Sequence, residues 1–193
     1  MNHVLVTVEK DRTKEGILQI IDPVGVVLHT LRAYCKADNS AAAREGNPNR
    51  TSTLKGGDTP TGLYIGTHRK SWNPITATDL RSYGAVKIDL NPVQGAEKET
   101  KSPELIEALL AMINKYKIVN VQNTNAAIAE RNGRTGLLCH PGDLAPDGKR
   151  MRPTNGCIRV VGSEIIPVLS LLAGPMPWFV MEKDATPAAT LVS

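Results

Sequence analysis

Val4, Val6 and Val8 alternate with polar neighbours near the start of the chain, and a period of two is what a strand with one buried face requires. Ile17 to Ile21 and Gly25 to Leu31 flank the turn sequence Asp22-Pro23-Val24-Gly25, which predicts two strands joined as a hairpin. Strand-like pieces resume at Leu63 to Thr67, Ala85 to Leu90 and Thr135 to His140, and Trp178 to Glu182 predicts a closing strand. Helical spacing is rarer. Ser102-Pro103-Glu104 supplies an N-cap, a first-turn proline and an early acid, after which Leu105, Leu109, Met112, Ile113 and Tyr116 fall on one helical face. A second, shorter helix is predicted over Ser163 to Leu172, with Pro167 delaying its regular part. Lys36 to Asp58 is small, polar and Gly-rich, and predicts a long surface loop holding one helical turn. Asp184 to Ser193 reads as a frayed tail. The expected class is therefore mainly β with peripheral helices (α+β), in a single domain over 1–193, without internal repeat or linker.

Composition narrows the function classes. With 193 residues, 41% hydrophobic and 22% charged, the chain is of ordinary globular make-up and long enough for one core. One Phe, two Trp and four Tyr are too few to build base-stacking platforms, so no nucleic-acid partner is expected. The most apolar stretch, Val168 to Met181, is broken by Gly174, Pro175 and Pro177, so no membrane-spanning segment is expected. Glu9, Lys10, Asp11 and Arg12 fall where a signal peptide would still be apolar, and no export signal is read. Three cysteines cannot all pair, so at least one thiol is expected to be free. The net charge of +4 is concentrated: Arg131 to Arg159 holds six basic residues against Asp143 and Asp147. Such a cluster is either a solvated loop or a docking place for an anion.

The same stretch carries the chemistry. A thiol attacks a carbonyl as thiolate, so a catalytic cysteine needs a base nearby and N–H donors for the oxyanion. In Gly133 to Val161, Cys157 follows Thr154, Asn155 and Gly156, a polar turn able to bring backbone amides close to a substrate. His140 lies 17 residues upstream, at the end of an apolar strand. Neighbouring strand side chains face opposite ways, so with His140 at the site Cys139 faces the core, and Cys35 reads as a small buried hydrophobe. A metal site of Cys139, His140 and Cys157 is the alternative, without the paired ligand spacing such sites use. No metal or other cofactor is expected.

This segment resembles the signature of the L,D-transpeptidases (YkuD domain): a His, a spacer, then Ser/Thr-His-Gly-Cys, a hydrophobic residue and Arg or Asn. The chain supplies His140, Thr154, Gly156, Cys157, Ile158 and Arg159. A second family element, a turn followed by Thr-Pro-x-Gly and a strand, is matched by Gly57-Asp58-Thr59-Pro60-Thr61-Gly62-Leu63-Tyr64. The motif-bearing part spans about 54–182. The resemblance implies a YkuD-like β-sandwich with peripheral helices. It also implies cleavage of the L,D bond before the terminal D-alanine of a peptidoglycan tetrapeptide stem, followed by acyl transfer to an amine, a D-amino acid or water, and acylation by carbapenems.

By that resemblance Cys157 is the acylated nucleophile and His140 the base that activates it and later protonates the leaving amine. Gly156 and Cys157 amides form much of the oxyanion hole, with Asn155 and Thr154 shaping the loop. Arg159 and Arg152 are the candidate substrate-binding residues, Arg159 either holding a stem carboxylate or bracing the loop in a salt bridge. Thr59 and Gly62 read as scaffold, and His3, His29 and His68 match no motif. Asn155 departs from the family, which has His there. Asn cannot titrate but keeps donors and acceptors. If that His shares in proton transfer, the chain is a catalytically weakened peptidoglycan-binding module. Papain-like hydrolases are a poorer match, since they place Cys before His. The substrate implies action in the periplasm or cell wall. Without a visible signal, export then relies on a removed leader or a dedicated secretion system, as for an antibacterial effector with an immunity or delivery protein as partner. A phage-encoded wall enzyme fits the same pattern.

Overall fold

The computed structural model describes residues 1–183, so the tail expected at 184–193 lies outside the described residues. Among the described residues eight strands form one sheet: β1 (His3–Val8), β2 (Gly16–Ile21), β3 (Val27–Tyr34), β4 (Gly62–His68), β5 (Ile88–Pro92), β6 (Leu138–His140), β7 (Ile158–Val160) and β8 (Met176–Glu182). Their spatial order is β1-β2-β3-β7-β6-β5-β4-β8, and the sheet closes on itself. Closure comes from β8, which is antiparallel to β4 and parallel to β1 from Val4↔Trp178 to Val8↔Glu182. The fold is thus β-rich α+β, as expected, but the expected sandwich is corrected to a barrel. A sandwich needs two sheets with free edges, and here the first and last strands use up the edges.

The alternation in β1 does what period two demands: Val4, Val6 and Val8 are buried and join Leu18, Ile20, Ile88, Ile158 and Trp178 in the barrel core. The Asp22 turn forms the expected hairpin, its carboxylate accepting from the Val24 and Val26 amides at 3.0 and 2.8 Å. Outside the barrel a second cluster packs Leu105, Leu109 and Met112 against Leu63, Ile65 and Val93. The first three residues lie on the helix Pro103–Lys115, which begins where Ser102 caps the Leu105 amide.

Shorter helices stand where the sequence pattern is silent: Ala77–Tyr83, Ala96–Glu99 and Asn125–Arg131. One or two turns cannot display a repeating apolar face, and Asn125–Arg131 is buried through Ala126, Ala127 and Ala129 alone. Its seat depends on Gly62, where a Cβ would come within 2.6 Å of the Ala126 Cβ. The turn expected within the 36–58 loop is Asn39–Arg44. The late helix is reversed relative to expectation. An α turn, Gly162–Ile165, precedes Pro167, and a 3-10 segment, Ile166–Leu172, contains it. Proline has no N–H for the carbonyl four residues back, which ends the α geometry there. Among the described residues no helix is long and apolar enough to cross a membrane.

Candidate active site

β6 and β7 are parallel neighbours in the register Cys139↔Ile158 and His140↔Arg159. Side chains alternate, so Cys139 and Ile158 point into the barrel, both fully buried, while His140 and Arg159 leave on the other side. One step back, Cys157 precedes β7 opposite Leu138, on the His140 face. This arrangement separates Cys139 from His140 and Cys157, so the alternative three-residue metal site cannot converge. All three cysteines are free thiols and buried, Cys35 included.

His140, Cys157, Thr154, Asn155, Arg152 and Arg159 line one cleft of about 680 Å³. Its other walls come from the 38–45, 55–56, 81–83 and 134–138 segments. The walls carry Arg44, Lys55, Arg81, Arg134, Arg152 and Arg159 against Asp38 and Glu45, and Glu45 is tied to Lys55 at 3.4 Å. Half of the basic stretch read from the sequence, Arg134, Arg152 and Arg159, lines this cleft, and Arg44, Lys55 and Arg81 join it from elsewhere in the chain, a geometry that favours an anionic ligand.

Both candidate groups lie deep: Cys157 is 8% exposed and His140 2%. His140 Nδ1 lies 2.5 Å from the Pro141 carbonyl oxygen, which makes Nδ1 the N–H donor and leaves Nε2 as acceptor. Burial lowers the His140 pKa to about 4; the Pro141 contact opposes this, and Arg159 and Lys87 add to it. The Tyr83 ring meets the imidazole edge-on with centroids 5.1 Å apart, and Lys87 Nζ sits 3.8 Å from the Tyr83 centroid and 3.5 Å from that of Trp72. Burial raises the Cys157 thiol above its ordinary value, while the Leu138 amide, Arg134, Arg159 and Lys87 pull it back. These shifts favour a neutral thiol and a neutral imidazole on the walls of one cleft near neutral pH.

The cysteine loop is held from several sides. Thr154 Oγ1 accepts from the Gly156 amide and donates to the Cys157 carbonyl, both at 3.0 Å. The Gly156 N–H, expected among the oxyanion donors, is thus engaged inside its own loop. Gly156 has φ +95°, and a Cβ there would meet Arg134 Nη2 at 2.0 Å and the Gly57 carbonyl at 2.2 Å, so only glycine fits. The Thr59 hydroxyl, with no exposure, lies 3.0 and 3.2 Å from the Gly156 and Cys157 carbonyls. The Thr-Pro element therefore buttresses the Cys157 turn directly. Asn155 is exposed, and the loop's shape comes from Thr154 and Thr59.

Arg159 braces the cleft through main-chain oxygens, donating to Asp143 at 3.1 Å and Ser82 at 2.9 Å, rather than through the salt bridge read as one option. Arg152 Nε donates to the Leu144 carbonyl at 2.8 Å and remains exposed. His3, outside the site, contacts the Tyr116 hydroxyl at 3.3 Å. The sequence pattern did not single out Tyr83, Lys87 or Arg134. Rings and cations placed by tertiary packing leave no local periodicity to read.

No protein-family model and no curated protein matches the chain. Among solved structures it is similar to Bd1075 of Bdellovibrio bacteriovorus, at 13% identity and TM-score 0.45, covering 93% of this chain and 47% of that one. It is also similar to an L,D-transpeptidase from Mycobacterium smegmatis, at 13% identity and TM-score 0.39, covering 93% of this chain and 59% of the other. The chain spans about half the length of the structures it matches. Both likenesses are distant and concern fold.

Proposed function

We propose that this protein is a cysteine acyltransferase acting on peptidoglycan tetrapeptide stems in the periplasm or cell wall. One observation carries the reading: Cys157 and His140 leave adjacent parallel strands on the same face and open into one basic cleft. In the proposed cycle Cys157 Sγ attacks the carbonyl of the third stem residue while His140 Nε2 takes the thiol proton. The C–N bond to the terminal D-alanine then breaks, and His140 returns the proton to the departing amine. An acceptor amine or water attacks the thioester, His140 takes a proton from it, and the proton goes back to sulfur as the C–S bond breaks. The Cys157 amide is the remaining backbone candidate for the oxyanion, and Arg152 and Arg159 supply the positive potential that draws stem carboxylates in.

The test is mass spectrometry of muropeptides incubated with the protein, with and without an added D-amino acid. Loss of D-alanine or its exchange is expected from the wild type and not from Cys157→Ala. A carbapenem should leave one adduct, on Cys157. An adduct on Cys139, or one that survives in Cys157→Ala, overturns the assignment. A second reading, a peptidoglycan-binding module, draws on the exposed Asn155 in place of the family's His. Stem binding without turnover and without an adduct would select it.

A further inference from the structure

Arg134 is 3% exposed and makes no ion pair among the described residues; its guanidinium is spent on main-chain oxygens. Nη1 donates to the carbonyls of Ser52 and Asp58, the latter at 2.9 Å, with Leu54 at 3.4 Å. Nη2 donates to Gly57 at 2.7 Å and reaches the Gly156 carbonyl at 3.4 Å. One cation thus gathers the turn that leads into Thr59 and the turn that leads into Cys157. Carbonyls gathered on both arms of one fork, with the Leu54 and Gly156 contacts the longer ones at 3.4 Å, are an arrangement that suits a planar guanidinium and not an ammonium.

We infer that Arg134 is the positioning residue of the nucleophile loop: its guanidinium clamps the Gly57–Asp58 turn to the Gly156 turn and puts fixed positive charge beside the Cys157 sulfur. The inference rests on Cys157 being the nucleophile, and not on what it acylates. Burial lowers the Arg134 pKa, and Tyr64, Cys157 and Asp58 oppose that shift. After burial and the Leu138 amide, Arg134 leads the charges acting on the thiol, ahead of Arg159 and Lys87. The other titratable neighbours are His140 across the strand pair and the Cys35 and Cys139 thiols. Asp58, the carboxylate of the clamped turn, is already held by Arg50 at 3.2 Å and the Ala37 amide at 2.7 Å.

The experiment is the pH dependence of Cys157 alkylation by iodoacetamide, read by peptide mass, in the full chain and in Arg134→Gln and Arg134→Lys. In Arg134→Gln the midpoint should move to higher pH, with alkylation at pH 8 falling about tenfold for each unit moved. Arg134→Lys keeps charge and should return the midpoint most of the way. A folded Arg134→Gln with the wild-type midpoint and rate overturns the inference, because a purely structural arginine would change melting alone. If Arg134→Gln does not fold, hydrogen exchange of Arg134→Lys decides. Protection should fall together at 57–59 and 154–157 while the barrel strands keep theirs, and unchanged protection in both turns overturns the clamp. A wild type inert toward muropeptides that still shows the Arg134 effect would sink the proposed substrate and leave the clamp standing.

Discussion

The Nδ1 atom of His140 rests 2.5 Å from the carbonyl oxygen of Pro141, its immediate neighbour in the chain. That contact fixes the tautomer, while burial holds the imidazole pKa at about 4. In the proposed cycle His140 must be unprotonated to act as the base, and it stays so until the pH falls through about 4. The acid limb of kcat/KM, which reports the free enzyme, should therefore fall near pH 4 and not near 6.5. Anionic substrate in the cleft beside Arg159 offsets a charge that depresses the imidazole, so the limb of kcat should lie at higher pH. Coincident limbs near 6.5 in a pH–rate series would show that another group is the base.

The same shift predicts how stability follows pH. Histidine in the unfolded chain binds its proton below 6.5, whereas folded His140 binds it only below about 4. Between those values the unfolded state holds more protons, so stability falls as pH drops from 6.5 to about 4 and levels off below. His140 should contribute up to about 3 kcal/mol to that loss, at 1.36 kcal/mol per unit. His3, lowered to about 4 by burial and the Lys115 charge, acts in the same direction. Urea midpoints at the two pH values should differ less for His140→Gln than for the wild type, and equal differences would refute the assignment.

Thr59 offers a sharper probe of the turn that carries the proposed nucleophile. Thr59→Val keeps shape and removes the hydroxyl near the Gly156 and Cys157 carbonyls. The Cys157 carbonyl retains Thr154 and the Gly156 carbonyl retains a longer contact with Arg134, so the stability cost should be nearer about 1 than 3 kcal/mol. Catalysis should suffer more, because small displacements of a nucleophile cost up to about 10²-fold. Acylation by a carbapenem should slow by about tenfold or more, while the urea midpoint falls only by what a loss of about 1 kcal/mol produces. A loss of stability without loss of rate would show that the turn tolerates the change.

What the sequence made legible was local. Alternation at Val4, Val6 and Val8 placed a strand, the Asp22 turn placed a hairpin, and the parity of Cys139 and His140 placed one in the core and the other on the cleft. Closure of the barrel was not legible, since it depends on a parallel pairing between Val4 and Trp178, residues from opposite ends of the chain with no local signature of partnership. Arg134 was visible only as one charge among six, because its partners are carbonyl oxygens, which every residue carries. The Asn125–Arg131 helix escaped notice because alanines bury it, and alanine makes no contrast with a polar loop.

Asn155→His restores the residue that the resembled family carries at this point. The shape of the loop does not depend on position 155: Thr154 ties Gly156 to Cys157, Thr59 lies against both carbonyls, and the Asn155 side chain is exposed at the cleft. A histidine there can be accommodated without disturbing the nucleophile, and it adds a group that titrates near neutrality. With His140 as the base, the variant should change the acylation rate by less than about tenfold and leave the acid limb of kcat/KM near pH 4. The measurement is carbapenem acylation followed by intact mass across the pH range. A gain of about 10² or more, with a new limb near 6.5, would mean that proton transfer runs through position 155. The natural chain would then be the weakened binder of peptidoglycan, with its cleft intact and its chemistry disabled.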